Sequence, residues 1–239
     1  MDLEEQGAVR LGVGRSGTAN DREGKYTFFF NGNNFFGILK MTDAFEQFTS
    51  IPGRLLMDTC ILNLLQDEGE YIFEGIIPDD CDDVPVDWSA LHYIFKVNER
   101  ASFQFLVSPI TLAELANEKD MLISQRRLLW VLDVLDVWLI MLEETGDRIA
   151  DGGTVRHRFK LSPELQAFER NLLTIPDFRR DPLDRLLLVQ YKMGNCDAFL
   201  TLDCNTIWRH KEWLSEHGIR VLRPSEFWEI LKPWAALWY

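Results

Sequence analysis

The sequence predicts an α/β protein with a mainly parallel central sheet that is covered by helices on both faces. Short apolar strand patterns alternate with segments in which apolar residues recur every three to four positions, as in RLLMDT followed by CILNLLQ and SFQFLVSP followed by ITLAELANE. Strands that alternate with helices are typical of βαβ units, whose sheets are parallel and buried. The 239 residues, 46% of them hydrophobic, suffice for one substantial core.

Residues 1–53 are predicted to form an appendage to the main domain, which spans 54–239. Residues 1–25 are Gly-rich and polar, as in flexible segments. The Asn31-Gly32 pair between apolar runs predicts a hairpin, and MTDAFEQFTSI, which ends at Ile51, resembles a helix. The aromatic residues of this region are either core or a base-stacking surface: Phe28, Phe29, Phe30, Phe35 and Phe36.

The middle of the main domain is predicted to carry a helical insertion at about 118–175. Residues 120–147 are expected to be one long helical stretch or two helices with a bend, and a loop, a short strand and a further helix follow. The stretch contains an apolar stripe that indicates either core or a dimer seam: Leu128, Leu129, Leu132, Leu135, Leu139 and Leu142. After it, the pattern predicts a helix up to about Met193, the strand AFLTLD, a helix, the strand IRVLRP and a terminal helix.

Charge is distributed unevenly over this acidic chain, whose formal net charge is −13. Residues 67–87 contain nine acidic side chains and no basic one, whereas residues 148–223 contain 13 Lys plus Arg against 10 Asp plus Glu. An acidic protein can therefore still present a basic surface to nucleic acid. The N-terminus lacks a secretory signal pattern and no apolar run is long enough for a membrane span, so we expect a cytoplasmic protein without membrane contact.

Four acidic residues fall where a parallel sheet would bring them to one edge. Asp58 follows the first strand, Glu114 lies on the helix after the second, and Asp203 ends the AFLTLD strand. Asp184 stands in the first turn of the helix before that strand. Ligands of open α/β sheets bind outside the carboxyl ends of the strands. Clustered carboxylates repel one another unless protons or cations compensate them, and Mg²⁺ or Mn²⁺ prefers such oxygen ligands.

Successive segments resemble the motifs of PIN-domain nucleases. They are MDTCILNLL at 57–65, VSPITLAELA at 107–116, RDPLDRLLLVQ at 180–190 and CDAFLTLDCNTIW at 196–208, and GIRVLRPSEFWEIL at 218–231 is similar to the closing strand and helix of that family. The resemblance implies a three-layer αβα sandwich and a divalent-metal-dependent endoribonuclease that hydrolyses RNA, often the toxin of a toxin–antitoxin pair. It departs from the compact family pattern in the N-terminal extension, in the insertion and at Tyr191.

The resemblance also implies roles for individual residues. Asp58, Glu114, Asp184 and Asp203 would be the catalytic and metal-binding acids that hold Mg²⁺ or Mn²⁺, with Asp58 at the centre. Thr201, Thr59 and Asn205 would support the site. Basic residues that flank the acids in sequence are candidates for phosphate contacts, although each is as readily an ordinary solvated charge: Arg179, Arg180, Arg185, Arg209 and Lys211.

Structural roles remain open for the same residues. Asp58 and Asp181 are well placed to cap helices, Glu114 to face solvent, and Asp203 to close a loop. His210 is either a solvent-facing histidine or a group that positions substrate. The alternatives in function are a non-catalytic PIN-fold module that binds protein or RNA and a structure-specific DNA nuclease. The expected partners are RNA, an antitoxin or another protein, and a second copy of the chain.

Overall fold

The computed structural model describes ten ranges of the chain: 14–21, 24–31, 34–40, 50–78, 83–116, 119–135, 137–142, 148–150, 154–156 and 161–238. The first three ranges form an antiparallel sheet of β1 (Gly14–Asp21), β2 (Gly24–Asn31) and β3 (Asn34–Lys40). The pairing of β2 with β3 places Asn31 opposite Asn34, which is the hairpin that the Asn-Gly signal predicts. Gly14–Asp21 is paired in this sheet, and the expectation that residues 1–25 are flexible in isolation stays a prediction. The helix expected at 41–51 falls, up to residue 49, outside the described ranges.

The main domain is built on a five-stranded, all-parallel sheet. Its strands are β4 (Arg54–Met57), β5 (Gln104–Val107), β6 (Leu139–Met141), β9 (Ala198–Leu200) and β10 (Val221–Leu222), in the order β10–β9–β4–β5–β6. A separate antiparallel pair consists of β7 (Arg148–Ala150) and β8 (Thr154–Arg156). The predicted α/β class with a parallel central sheet is confirmed.

Helices lie between the strands along the chain. They are α1 (Thr59–Asp67), α2 (Val86–Asn98), α3 (Pro109–Ala116), α4 (Met121–Val134), α5 (Pro163–Leu172), α6 (Pro176–Arg180), α7 (Pro182–Met193), α8 (Lys211–Glu216) and α9 (Pro224–Leu231). A π-helical turn spans Glu70–Glu74, and 3₁₀ turns span Trp208–His210 and Lys232–Leu237. Helix α2 is an element that the strand and helix pattern of the sequence does not identify.

Two hydrophobic clusters cover opposite faces of the central sheet. Side chains alternate between the faces of a strand, and Leu55 and Met57 of β4 accordingly pack in one cluster while Leu56 packs in the other. The first cluster adds residues of α1, α2 and α9, and the second adds residues of α5, α7 and α8. Helices on both faces of a buried parallel sheet make a three-layer αβα sandwich, which the PIN resemblance implies.

The insertion differs from the continuous helical stretch expected at 120–147. Helix α4 ends at Val134, and Leu139–Met141 pairs with β5 as an edge strand. The prediction is therefore wrong for Leu139–Met141, because a short apolar run fits a buried strand as well as a helix and only pairing with β5 decides between them. Within the leucine stripe Leu139 and Leu142 are buried, whereas Leu129 and Leu132 are exposed.

None of the helices in the described ranges is both long and apolar enough to cross a membrane.

Candidate active site

The candidate site lies where the order of the strands reverses along the sheet. The first strand of the parallel sheet, β4, has β5 on one side and β9 on the other. The chain passes from β4 to β5 and β6 on one side and then crosses back to β9 and β10 on the other. Asp58 follows β4, and its amide N–H donates to the carbonyl oxygen of Leu200 at 3.0 Å, at the end of β9. In open α/β sheets a crevice forms at such a switch point. The segment 201–203 follows β9 and therefore faces Asp58.

The Asp58 carboxylate is buried, with 7% of the residue exposed, and it is held by three donors. Its Oδ1 accepts the N–H of Thr59 at 2.7 Å, which caps helix α1. Its Oδ2 accepts the hydroxyl of Thr201 at 2.5 Å and the thiol of Cys60 at 3.2 Å. Burial is the main cause that raises the pKa of Asp58, Asp203 raises it as well, and the three hydrogen bonds lower it. The capping role and a role in the site therefore coexist in one residue.

Asp203 closes its own loop with both carboxylate oxygens. Oδ1 accepts the amide N–H of Asn205 at 2.8 Å, and Oδ2 accepts that of Thr206 at 3.0 Å. The amide of Asp203 itself donates to Thr201 Oγ1 at 2.9 Å, so Thr201 connects Asp203 to Asp58. Asn205 is exposed and contacts Asp203 through its backbone. The loop-closing role weighed for Asp203 is thus realised, beside a carboxylate that it still influences electrostatically.

Glu114 projects from helix α3 toward the start of helix α1. Its Oε2 accepts the hydroxyl of Thr59 at 2.5 Å. Burial raises the pKa of Glu114 most, the Thr59 hydrogen bond lowers it, and the charges of Asp58 and Asp181 raise it further. Glu114 is therefore not a solvated helix residue, because it is partly buried and fixed to the residue that follows Asp58.

The Asp184 carboxylate is surrounded by other acidic side chains. Burial raises its pKa to about 8, and the charges of Asp181, Asp58, Asp203 and Glu114 raise it further. Asp181, by contrast, caps helix α7, since its Oδ1 accepts the N–H groups of Leu183 at 2.9 Å and Asp184 at 3.2 Å. The helix start that Asp181 stabilises therefore holds Asp184 beside the other carboxylates. The four predicted acids come together at one edge, and Asp181 joins them electrostatically.

The carboxylates are near one another but do not form a finished set of ligands. Among the residues that the structure describes, no three His, Cys, Asp or Glu side chains are arranged to hold one metal ion. The hydrogen bonds explain this, because Asp58 and Asp203 turn oxygens toward Thr201 and toward backbone amides. The chemistry of the donors nevertheless suits a hard cation, since Asp58 raises the pKa of both Glu114 and Asp184 and a cation would relieve that repulsion.

The five basic residues predicted to meet phosphates have different surroundings. Arg179 and Arg180 are exposed at the end of helix α6, directly before Asp181. Arg185 is only 3% exposed and donates to the carbonyl oxygens of Phe178 at 2.8 Å and Arg179 at 3.3 Å. Its position argues against a contact with substrate and assigns it to the packing between α6 and α7. The expectation for Arg185 is accordingly corrected.

Arg209 and Lys211 are engaged with acidic partners. Arg209 Nη1 lies 3.6 Å from Asp177 Oδ2, and the ring nitrogen Nε2 of His210 lies 2.9 Å from the same oxygen. Lys211 Nζ donates to Glu226 Oε1 at 3.2 Å and lies 3.8 Å from the centre of the Trp208 ring. Through these contacts the segment after Asp203 packs against helices α6 and α9. His210 accordingly has a partner in Asp177, rather than standing free in solvent.

Two residues beside the site are not among those that the sequence analysis assigns to it. Cys60 contacts the Asp58 carboxylate, and Asp181, which is predicted to cap a helix, acts through its charge on Glu114 and Asp184. The signal for Asp181 was its spacing of three from Asp184 at a helix start. Cys60 carries no such signal, because its contact depends on how β4 and β9 pair.

Comparison with family models, curated proteins and solved structures gives no significant match to this chain.

Proposed function

We propose that this protein is a divalent-cation-dependent endoribonuclease of the PIN type, in which Asp58, Glu114, Asp184 and Asp203 hold Mg²⁺ or Mn²⁺ and RNA phosphodiester bonds are hydrolysed. The observation that carries the proposal is the placement of Asp184 beside four other carboxylates at the switch point of a parallel sheet, where burial and their charges raise its pKa to about 8. Strongly perturbed carboxylates at a strand edge are typical of functional sites. When bound, the cation would activate water and stabilise charge on the phosphate.

The residues of the chain have distinct parts in this proposal. Asp58 is the fixed member, because its Oδ2 is held by Thr201 and Cys60. Glu114 is held by one hydroxyl, that of Thr59, and retains acceptor capacity. Among the hydrogen bonds of the described residues, none ends on the Asp184 carboxylate. Asp184 is therefore the acid that is most free to turn toward a cation.

The assignment of RNA as the substrate rests on the PIN-like motifs and on exposed basic residues beside the site. Arg179 and Arg180 lie at the surface directly before Asp181 and would contact the backbone of a bound strand. The same motifs suggest that the protein acts as the toxin of a toxin–antitoxin pair. An acidic segment at 67–87 offers a basic partner protein a complementary charge.

The test is cleavage of mixed single-stranded RNA with Mn²⁺ or Mg²⁺. Asp58→Asn and Asp184→Asn should each lower the rate by at least about 100-fold, because even the groups that merely support metal ligands contribute about 10- to 100-fold. Asp133→Asn is the matched control, since Asp133 is an exposed acid on helix α4 outside the site. Equal activity of the folded Asp58→Asn variant and the wild type would overturn the proposal.

A non-catalytic PIN-fold module is the second candidate. It is favoured by the arrangement of the described carboxylates, which presents no finished ligand set, and by the engagement of both Asp203 oxygens with backbone amides. Calorimetry separates the two, because a module of this kind should bind RNA or a protein without binding Mn²⁺. Single-stranded, duplex and flap DNA in the same cleavage assay would detect the remaining alternative, a DNA nuclease.

A further inference from the structure

The thiol of Cys60 lies between the ends of two neighbouring strands. Cys60 is the second residue of helix α1, and its Sγ donates to Asp58 Oδ2 at 3.2 Å. The same sulfur accepts the amide N–H of Leu202 at 3.1 Å and lies 3.5 Å from Thr201 Oγ1. Leu202 lies two residues after β9, whereas Asp58 comes directly after β4. One side chain thus connects the two strands across the switch point.

The contacts of Cys60 fix the orientation of the Asp58 carboxylate. Oδ2 receives two side-chain donors, from Thr201 and Cys60, and therefore points into the protein. Among the described residues, Oδ1 receives only the N–H of Thr59, and it keeps room for a further partner because a carboxylate oxygen offers about two acceptor positions. Without the thiol, a single hydroxyl would hold Oδ2, and the carboxyl plane would have more freedom to rotate.

We propose that Cys60 is a positioning residue, whose thiol holds Asp58 Oδ2 so that Oδ1 keeps an acceptor position for a cation. The link to catalysis rests on the proposed nuclease function, whereas the hold on Asp58 does not. Packing alone is the competing explanation, since Cys60 also touches the hydrophobic cluster that contains Leu55 and Met57. The two explanations differ in what they require at position 60. Positioning requires a hydrogen-bond donor, and packing requires only volume.

A pair of substitutions separates donation from volume. Cys60→Ser keeps a donor and reduces the volume, whereas Cys60→Val removes the donor and retains at least the volume of the thiol. We expect Cys60→Val to raise the Mn²⁺ concentration for half-maximal RNA cleavage by about tenfold or more, the order of effect found for groups that orient metal ligands. Cys60→Ser should stay within about threefold of the wild type, since its hydroxyl also donates. Cys196→Val is the control, because Cys196 is a buried thiol in the opposite cluster.

The kinetic outcomes decide the proposal in either direction. Positioning predicts that the maximal rate at saturating Mn²⁺ changes much less than the Mn²⁺ requirement, and that the serine variant restores that requirement. If folded Cys60→Val cleaves RNA with the Mn²⁺ requirement of the wild type, the positioning role is wrong. A serine variant that is impaired while the valine variant matches the wild type would assign Cys60 to packing, and equal impairment of both variants would also overturn the proposal, because a donor alone would then not restore the site.

The infrared S–H stretch of the metal-free protein gives a second measurement that needs neither cation nor RNA. The band that disappears in Cys60→Ser belongs to Cys60, and donation to a carboxylate should place it at lower frequency than the band of the exposed Cys204. Asp58→Asn should move it upward, because a neutral amide oxygen accepts more weakly. A band that does not move would overturn the proposal. Absence of RNA cleavage by the wild type would refute the proposed function alone and leave this result standing.

Discussion

Thr201 Oγ1 donates to Asp58 Oδ2 at 2.5 Å and accepts the amide N–H of Asp203 at 2.9 Å. A single hydroxyl therefore joins the two acids that follow neighbouring strands, and it is fully buried. Its donor and acceptor capacities are both in use, so the side chain at position 201 links the residue after β4 to the loop after β9. The two hydrogen bonds of Thr201 thus hold Asp58 and Asp203 in place at the candidate site.

Thr201→Val should destabilise the fold while preserving its shape. Valine matches threonine in volume but leaves the buried Asp58 oxygen with one donor fewer and the Asp203 amide without its acceptor. The free energy of unfolding should fall by about 1–3 kcal/mol, the cost of an unsatisfied buried group. Urea denaturation measures it. Thr174→Val, in which an exposed hydroxyl is lost, should change stability by less than about 0.5 kcal/mol. A Thr201→Val protein as stable as the wild type would contradict the role of this hydroxyl.

The strand and helix pattern predicts most of the central fold because βαβ units are local in sequence. RLLMDT and SFQFLVSP form β4 and β5, and the capping pair Asp181-Pro182 starts helix α7 as expected. The edge strand Leu139–Met141 was missed, since three apolar residues within an apolar run carry no period of their own. Only pairing with β5 makes this segment a strand.

The candidate site was predictable to the extent that it depends on strand ends. Asp58, Glu114, Asp184 and Asp203 meet because parallel strands share one edge, which is a property of topology. The environment of each acid was not predictable. Both carboxylate oxygens of Asp203 accept backbone amides, those of Asn205 and Thr206, and Arg185 donates to backbone carbonyl oxygens inside the protein. Local turn geometry and packing decide where these side chains point. Sequence spacing does not contain that information.

Asp184→Asn should stabilise the metal-free protein at high pH. The pKa of Asp184 is raised from 3.8 to about 8, so the folded state holds this proton more tightly than the unfolded state. The stabilisation is fully present below 3.8 and is lost as the pH rises to about 8. Asparagine carries no charge, so the variant should have the higher melting temperature at about pH 9 and lose less stability between about pH 5 and 9. Differential scanning calorimetry across this range measures the effect.

Asp133→Asn is the control for the pH profile, since it removes an equal charge from the exposed surface of helix α4. Its melting temperature should follow that of the wild type at every pH. Parallel profiles for Asp184→Asn and the wild type would mean that the Asp184 carboxylate is ionised like an ordinary exposed acid, and the electrostatic basis of the candidate site would be lost.

Divalent cations should stabilise the protein more at high pH than at low pH. A cation and a proton compete for the same carboxylates, and Asp184 is largely protonated below about 8. At a Mn²⁺ concentration 100-fold above its dissociation constant, the stabilisation should be about 2.7 kcal/mol. The rise in melting temperature should therefore be larger at about pH 9 than at about pH 6. A Mn²⁺ effect that is equal in the wild type and in Asp58→Asn would place the cation elsewhere on the molecule.

The exposed and buried arginines should respond differently to substitution. Replacing Arg179 and Arg180 with alanine should weaken RNA binding for all sequences alike, and each lost phosphate contact should reduce the slope of log affinity against log salt by about 0.7. Stability should change little, because both side chains are exposed. Fluorescence anisotropy over a range of salt concentrations measures the slope.

Arg185→Met should have the opposite signature, because the guanidinium is buried and donates to the carbonyl oxygens of Phe178 and Arg179. Methionine retains much of the volume but leaves those carbonyls without this donor, so the free energy of unfolding should fall by about 1–3 kcal/mol. The salt slope for RNA should stay that of the wild type, since the number of phosphate contacts is unchanged. A lower slope in folded Arg185→Met would restore Arg185 to the substrate-binding set and would mean that helix α6 moves away when RNA binds.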